Sequence, residues 1–231
     1  FYYFDNDKHI LYNNLESLNI LDISHKPFQE CPVLSDEIIQ KVKNKLNVLK
    51  ISKFVIFHPS AQYDYKIYPD YQRERLLRLL NNLDLSILVT GSNNKIDLGI
   101  KEKIPDLKNV FNFIGETSLE EYFALSQLSL AYIGMDTLNM HIAAAQNKRV
   151  FAIYGPTNLK MWAPWSNKSK SASKENMPLQ TYENITIFQA GLPCVPCGKA
   201  GCDDKHGRSE CLHVIDPEKI FNQVNLWSKN A

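Results

Sequence analysis

Leu128-Ser129-Leu130-Ala131-Tyr132-Ile133, followed by Gly134-Met135-Asp136-Thr137, decides the fold when read together with what comes after it. Leu138 to Gln146 is small, apolar and helix-prone, and Arg149-Val150-Phe151-Ala152-Ile153-Tyr154 is a second apolar run that ends in Gly155-Pro156-Thr157. Strand, polar turn, helix, strand and Gly-Pro break make one right-handed βαβ unit. Asp136 and Thr137 fall where the first strand gives way to the helix, and both residue types suit an N-cap. A helix that starts at the carboxyl end of a parallel strand presents unpaired N–H groups and a positive dipole end, a combination suited to phosphate. This turn is the first candidate for the site.

The alternation repeats on both sides of that unit. Upstream, Ser35-Asp36-Glu37 opens a helix through about Leu49, with Ile38, Ile39, Val42, Leu46 and Leu49 on one face. Phe54-Val55-Ile56-Phe57 reads as a buried strand running into His58-Pro59-Ser60-Ala61-Gln62, with Lys66 ahead of Tyr68-Pro69. Asp70 is expected to cap the next helix, whose apolar face is Leu76, Leu77, Leu79 and Leu80. Leu85 to Thr90 is a strand leaving through Gly91-Ser92-Asn93-Asn94, and a helix follows from Lys95 to Ile104. Asn109 to Ile114 is a strand leaving through Gly115-Glu116-Thr117, and Ser118 caps a helix through Gln127.

Downstream, residues 158–181 contain Ser166-Asn167-Lys168-Ser169-Lys170-Ser171 and read as a mobile polar surface loop. Ile185 to Phe188 is the expected last strand, and Asp216-Pro217-Glu218 starts a closing helix with Pro at its first position. Residues 1–35 are irregular apart from a short helical stretch at Leu11 to Leu18, and they read as the end of a preceding domain. Five to six strands alternating with helices specify an α/β class, a doubly wound parallel sheet.

Composition excludes several functions. The 26 Lys and Arg nearly balance the 25 Asp and Glu, leaving a net charge of +1, which gives no ground for a nucleic-acid partner. An apolar fraction of 44% supplies a core, yet no run approaches the roughly 20 residues of a membrane-spanning helix. Phe1-Tyr2-Tyr3-Phe4-Asp5 lacks the charged and apolar regions of a signal peptide, and the absence of an initial Met fits either a fragment of a longer protein or a processed chain. A reducing, cytoplasmic compartment is expected. Cys31 stands alone, whereas Cys194-x2-Cys197-x4-Cys202-x8-Cys211 is a cluster. Its spacing is compatible with a structural tetrahedral zinc site, with His206 and His213 as spare ligands; disulfides and free thiols remain open beside it.

In an open parallel sheet the strand-exit loops converge on one edge. Ser60 to Lys66, Gly91 to Asn94, Gly115 to Thr117, Asp136 to His141 and Gly155 to Thr157 would meet there. A lysine, a helix N-terminus and several hydroxyls form a diphosphate cradle. No Gly-x-Gly-x-x-Gly and no Walker lysine motif is present, which speaks against a Rossmann dehydrogenase or P-loop NTPase. Taken singly, Asp136 and Ser118 are ordinary caps, Lys66 a solvated charge and His141 a core histidine. Their joint placement favours a site.

These residues resemble glycosyltransferase family 9, the heptosyltransferases of the lipopolysaccharide inner core. The resemblance rests on Gly115-Glu116-Thr117-Ser118-Leu119, on Asp136-Thr137 with Met140-His141-Ile142-Ala143-Ala144-Ala145, and on Tyr154-Gly155-Pro156-Thr157. His58-Pro59-Ser60-Ala61 with Lys66 and Tyr68-Pro69, and the cysteine segment through Asp216-Pro217-Glu218, agree with it. It implies a GT-B architecture of two Rossmann-like domains. Residues 1–35 would be the end of the N-terminal acceptor domain and the interdomain segment, and 36–231 the nucleotide-sugar-binding domain with a Cys-rich C-terminal piece.

The implied reaction is inverting transfer of heptose from ADP-heptose to a lipopolysaccharide or lipooligosaccharide core acceptor, with no catalytic cofactor or metal. The general base would belong to the other domain. Lys66 and Asp136 would stabilise the leaving diphosphate, and Ser60, Ala61, Gln62, Gly91, Thr117, Thr137, Leu138, Met140 and His141 would complete the donor site. The location implied is cytoplasmic, compatible with peripheral association at the inner face of the inner membrane. Leu138 departs from the family, which has Gly or Ser-Gly after the Asp-Thr/Ser pair. That departure leaves a second reading, a binding or assembly module without transfer activity; a nucleotide-sugar epimerase of the GT-B type is a third, because such enzymes also place a diphosphate at a helix start.

Overall fold

The structure, a computed structural model, describes residues 4–25 and 30–230; residues 1–3 and 26–29 of the expected lead-in segment lie outside the described residues, as does residue 231. Its strands are β1 (Phe54–His58), β2 (Ser86–Gly91), β3 (Val110–Ile114), β4 (Ala131–Met135), β5 (Arg149–Tyr154), β6 (Leu179–Tyr182) and β7 (Ile185–Gln189). Its helices are α1 (Ile10–Ile20), α2 (Asp36–Val48), α3 (Asp70–Leu80), α4 (Lys95–Lys101), α5 (Leu119–Leu128), α6 (Leu138–Ala145), α7 (Leu159–Trp162), α8 (Glu210–His213) and α9 (Pro217–Ser228). The strands form one seven-stranded sheet in the order β3-β2-β1-β4-β5-β7-β6, parallel except for the β6–β7 pair. This is the doubly wound α/β architecture that the alternation specifies.

Side chains of β1 alternate between two cores. Val55 and Phe57 pack with Leu76, Leu77 and Leu80 of α3 and with Ile220 and Val224 of α9. Phe54 and Ile56 face Val42 and Leu46 of α2, Leu125 of α5 and Ile142 of α6. A strand covered on both faces must be apolar throughout, which is why the run Phe54-Val55-Ile56-Phe57 shows no polar alternation. Each of these buried apolar side chains contributes about 1.5–3 kcal/mol relative to exposure.

Helix starts follow local chemistry. Ser35 accepts from the Ile38 N–H, and Ser118 forms a complete capping box with Glu121. Asp216 caps α9 ahead of Pro217. The expectation for Asp70 is corrected: Pro69 occupies the N-cap, and Asp70 is the first helical residue, its carboxylate paired with Arg73 and Lys103. The apolar run at Leu128 also divides. Leu128 closes α5, Ser129 donates to the Leu125 and Ser126 carbonyls, and β4 begins only at Ala131.

The largest departure is the polar segment 158–181, which the sequence presents as a mobile loop. It contains α7, a Ser166–Ser171 bridge and the edge strand β6. Trp165 anchors it at 1% exposure. That indole packs against His9 (5.4 Å) and Tyr12 (5.6 Å), and His9 Nε2 donates to the Ala163 carbonyl at 2.7 Å. One buried aromatic therefore outweighs six polar neighbours, and the same contact ties α1 to the sheet domain.

Candidate functional site

Strand order reverses between β1 and β4, and open α/β sheets bind ligands outside the carboxyl ends of the strands at such a switch point. A cleft of about 340 Å³ opens there. Close approach of the two strands at its floor requires Gly134: its φ is +157°, and a Cβ would press into the His58 carbonyl and lie 2.9 Å from the Tyr132 hydroxyl.

The β1 exit loop supplies one wall. Ser60 donates to Asp97, whose carboxylate also accepts from the Ser92 N–H at 2.5 Å and the Asn94 amide at 3.2 Å. Asp97, 3% exposed, thereby ties the exit loops of β1 and β2 together. A single 3-10 turn, Asp64–Lys66, then brings Lys66 across the cleft to Asp136, with Nζ 3.4 Å from Oδ2. The Asp136 side chain is 9% exposed and that of Lys66 29%, so both are partly desolvated and interact more strongly than a surface pair would.

The start of α6 supplies the other wall. Thr137 stands at its N-cap in an extended conformation, but its side chain does not cap the helix. Its hydroxyl lies 3.4 Å from Tyr132 Oη instead. The N–H groups of Thr137, Leu138 and Asn139 find no acceptor among the described residues. Three free donors and the positive end of the helix dipole therefore face the cleft beside Lys66.

Beneath them, His58 is buried, its Nδ1 3.0 Å from the Thr90 hydroxyl, while the Asn139 amide nitrogen lies 3.0 and 3.1 Å from its two ring nitrogens. Burial pushes the His58 imidazole down to about 4, against a smaller opposing pull from Asp97. A neutral ring can accept from the Asn139 amide and so hold the first turn of α6.

Of the anticipated donor residues, Ser60, Ala61, Gln62, Lys66, Asp136, Thr137 and Leu138 line this one cleft. Leu138, 61% exposed, projects at its mouth. The other four lie off the lining. Met140 is fully buried in the α6-side core, where its sulfur accepts from the Tyr154 hydroxyl. Gly91 ends β2 where a Cβ would crowd Asp97, so it makes room for that carboxylate. Thr117 precedes the α5 cap in the β3 exit loop. The His141 Nδ1 is buried with no partner among the described residues, and burial lowers its basicity, partly offset by Asp136.

Tyr63 and Asn139, which lie within the exit loops expected to converge but are not among the expected site residues, also line the cleft, as does Asp97 from outside those loops. The signal for Asp97 is its place in the first turn of the helix after a strand-exit loop, where a carboxylate meets free N–H groups.

The cysteines are free thiols, with Cys194, Cys197 and Cys202 exposed and Cys211 buried. Among the described residues no group of three or more His, Cys, Asp and Glu side chains is placed to hold a metal ion. Burial, with Cys202, Cys197 and Cys194 nearby, pushes the Cys211 thiol up to about 11.

The sequence model of glycosyltransferase family 9 (heptosyltransferase) matches residues 18–190. The chain belongs to glycosyltransferase family 9. This family 9 chain is 24% identical over 187 residues to lipopolysaccharide heptosyltransferase 3 of Escherichia coli K12, covering 79% of the chain and 50% of that protein. To lipooligosaccharide heptosyltransferase 2 of Haemophilus influenzae it is 29% identical over 199 residues, covering 84% and 53% respectively. It thus spans about half the length of these family 9 relatives. Its fold matches the E. coli ADP-heptose lipopolysaccharide heptosyltransferase II structure with a TM-score of 0.66 at 18% identity, over 91% of this chain and 56% of that one.

Proposed function

We propose that this chain is the donor-binding half of a heptosyltransferase, taking heptose from ADP-heptose to the core of lipopolysaccharide or lipooligosaccharide. The observation that carries this reading is the convergence at the switch point of Lys66, Asp136 and three unpaired N–H groups at the start of α6. Lys66 and the N–H groups are donors for a diphosphate, and the E. coli heptosyltransferase II whose fold this chain shares is named for an ADP-heptose donor.

In the proposed reaction an acceptor hydroxyl oxygen attacks the anomeric carbon from the face opposite the diphosphate. The bond from that carbon to the diphosphate oxygen breaks, and its electron pair leaves with ADP. The proton passes to a base in the part of the protein beyond this chain, and the anomeric centre is inverted. Negative charge grows on the departing diphosphate, where Lys66 and the α6 N–H groups meet it, an electrostatic stabilisation of the transition state. Asp136 holds Lys66 over the cleft and offers its second oxygen to sugar hydroxyls. The proposal assigns that charge to these groups, so transfer is expected to survive chelation of divalent ions. It also places the protein in the cytoplasm, with its acceptor at the inner face of the inner membrane. Among the described residues no helix is long and apolar enough to cross a membrane.

Calorimetric titration with ADP and UDP tests the reading. ADP is expected to bind, and Lys66→Ala and Asp136→Ala are each expected to weaken it by ~1–3 kcal/mol, the range for a lost charge-assisted hydrogen bond. ADP binding that neither substitution affects would overturn the site assignment, and tight binding of UDP alone would overturn the donor.

A further inference from the structure

The turn that carries Lys66 has little to hold it from within. It is three residues of 3-10 helix, closed by Lys66 N–H to the Tyr63 carbonyl (2.9 Å) and Ile67 N–H to the Asp64 carbonyl (3.0 Å). Such short turns are marginal by themselves. Two tyrosines flank its first residue, and both reach a third ring from a distant part of the chain. Tyr63 and Tyr65 stack at 5.5 Å and 15°, and His206 lies 5.9 Å from the first and 5.7 Å from the second. The three rings form a near-equilateral cluster, and one of them, Tyr63, lines the cleft.

His206 sits at the tip of the cysteine-bearing loop between Cys194 and Cys211, and that loop is built to hold the tip in place. His206 adopts a left-handed φ of +65°, and its N–H donates to the Ala200 carbonyl at 2.7 Å. Asp203 accepts from the Lys205 and Gly207 N–H groups at 2.9 and 3.1 Å, and Asp204 accepts from the Ala200 N–H at 3.1 Å. Cys202 N–H donates to the Arg208 carbonyl, and the Cys202 sulfur accepts the Glu210 N–H at 3.3 Å. At its base, the Gly198 N–H donates to the Pro156 carbonyl at the exit of β5. The loop is thus tied to the sheet at one end and presents one aromatic side chain at the other.

We propose that the cysteine-bearing loop braces the lysine loop, with His206 as a positioning residue that acts through Tyr63 and Tyr65 on Lys66. The inference rests on the donor-site reading given above. Without the third ring, the 3-10 turn samples arrangements in which Lys66 does not face α6. Apparent donor affinity then falls in proportion to the fraction of chains with Lys66 in place.

The test is ADP titration of this chain carrying His206→Asn, Tyr65→Ala, Tyr65→Phe or Lys66→Ala, and of the Lys66→Ala/His206→Asn double variant. Asn tolerates the left-handed backbone while removing the ring, and Tyr65 lies outside the cleft lining. His206→Asn and Tyr65→Ala are expected to weaken ADP binding by about three- to tenfold, the scale set by aromatic contacts of this kind. Tyr65→Phe should bind as the parent does. With Lys66 already removed, His206→Asn should cost nothing further, because the brace acts through that lysine; a merely structural role would give additive losses. The tyrosine band in near-ultraviolet circular dichroism should shrink in His206→Asn whether or not nucleotide is present.

Additive losses, or full affinity in both His206→Asn and Tyr65→Ala, would overturn the brace while leaving the donor site standing. Should Lys66→Ala itself bind ADP as tightly as the parent, the donor-site reading fails instead.

Discussion

The two ends of α6 are finished in opposite ways. At its C-terminus the chain enters a left-handed residue, Asn147 at φ +56°, whose N–H donates to the Ala144 carbonyl while Lys148 N–H donates to the Ala143 carbonyl. This is the Schellman arrangement, and the Asn167 amide adds a bond to the Ala145 carbonyl at 3.4 Å. At its N-terminus the Thr137 side chain leaves the first turn uncapped, and three N–H groups find no acceptor among the described residues. One helix of eight residues therefore has a saturated end and an open end. α5 shows that the chain can cap an N-terminus fully when it needs to, through Ser118 and Glu121. The open end of α6 is the one that lies at the switch point of the sheet, opposite Lys66. An uncapped start costs about 1 kcal/mol of helix stability, and it persists where a ligand can supply the missing acceptors.

The strongest way to break this contrast is to remove the seat on which the open end rests. Gly134→Ala places a methyl group against the His58 carbonyl and the Tyr132 hydroxyl at the β1–β4 junction. Backbone cannot yield there without parting two central strands. Denaturant unfolding is expected to show a loss of about 4 kcal/mol, the scale of an overpacked, strained core position. A loss below about 1 kcal/mol would mean that the strands can separate locally and that the switch point is not rigidly set.

A milder perturbation is acid. Folding keeps the His58 imidazole neutral down to about pH 4, whereas the unfolded chain binds that proton near the ordinary histidine value of 6.5. Between those values the unfolded state carries more protons. Stability is therefore fully present above about pH 6.5 and is lost as pH falls toward 4, by about 3 kcal/mol from this one ring. His9 and His141, also lowered mainly by burial, act with the same sign. Urea midpoints measured from pH 7 to pH 4 check this, and His58→Gln should flatten the slope. An unchanged slope in that variant would show that the charge-sensitive group under the open end is another one.

How much of this was visible in the residues follows from where the physics is local. The strands of the parallel core are continuous apolar runs, so Phe54 to Phe57 and Arg149 to Tyr154 declare themselves. Ser35, Ser118 and Asp216 announce helix starts because capping acts over three residues. Lys66 and Asp136, seventy positions apart, could be paired only by assuming that exit loops converge on one edge, an assumption the sheet order fulfils. The roles of Asp97 and Asn139 were not legible, even though Asp97 sits in a helix first turn and Asn139 in a named exit loop, because those roles depend on three loops and a buried ring meeting in space. The segment around Trp165 misled for the opposite reason. Its serines and lysines suggested mobility, whereas a single indole burying nearly all its surface holds the segment against α1. Composition averages over residues, and burial of one large side chain does not.

The finest test exchanges the chemistry of the two helix ends. Leu138 is the first residue of α6, where Pro is tolerated because its missing N–H has no helical partner to lose, and the preceding Thr137 is already extended at φ −147° and ψ 173°. Leu138→Pro therefore deletes one free donor from the cleft while keeping the helix. ADP affinity should fall about tenfold, or ~1.4 kcal/mol, with unfolding free energy changed by less than about 1 kcal/mol. Asn147→Ala at the other end should do the reverse. It strains a left-handed residue and costs about 1 kcal/mol of stability, yet leaves nucleotide affinity as it was. If Leu138→Pro binds ADP unchanged while remaining folded, the open N–H groups are not the anion site, and Lys66 alone carries the diphosphate. If Asn147→Ala also weakens ADP, the two ends are coupled through the helix, and the contrast between them is one of degree.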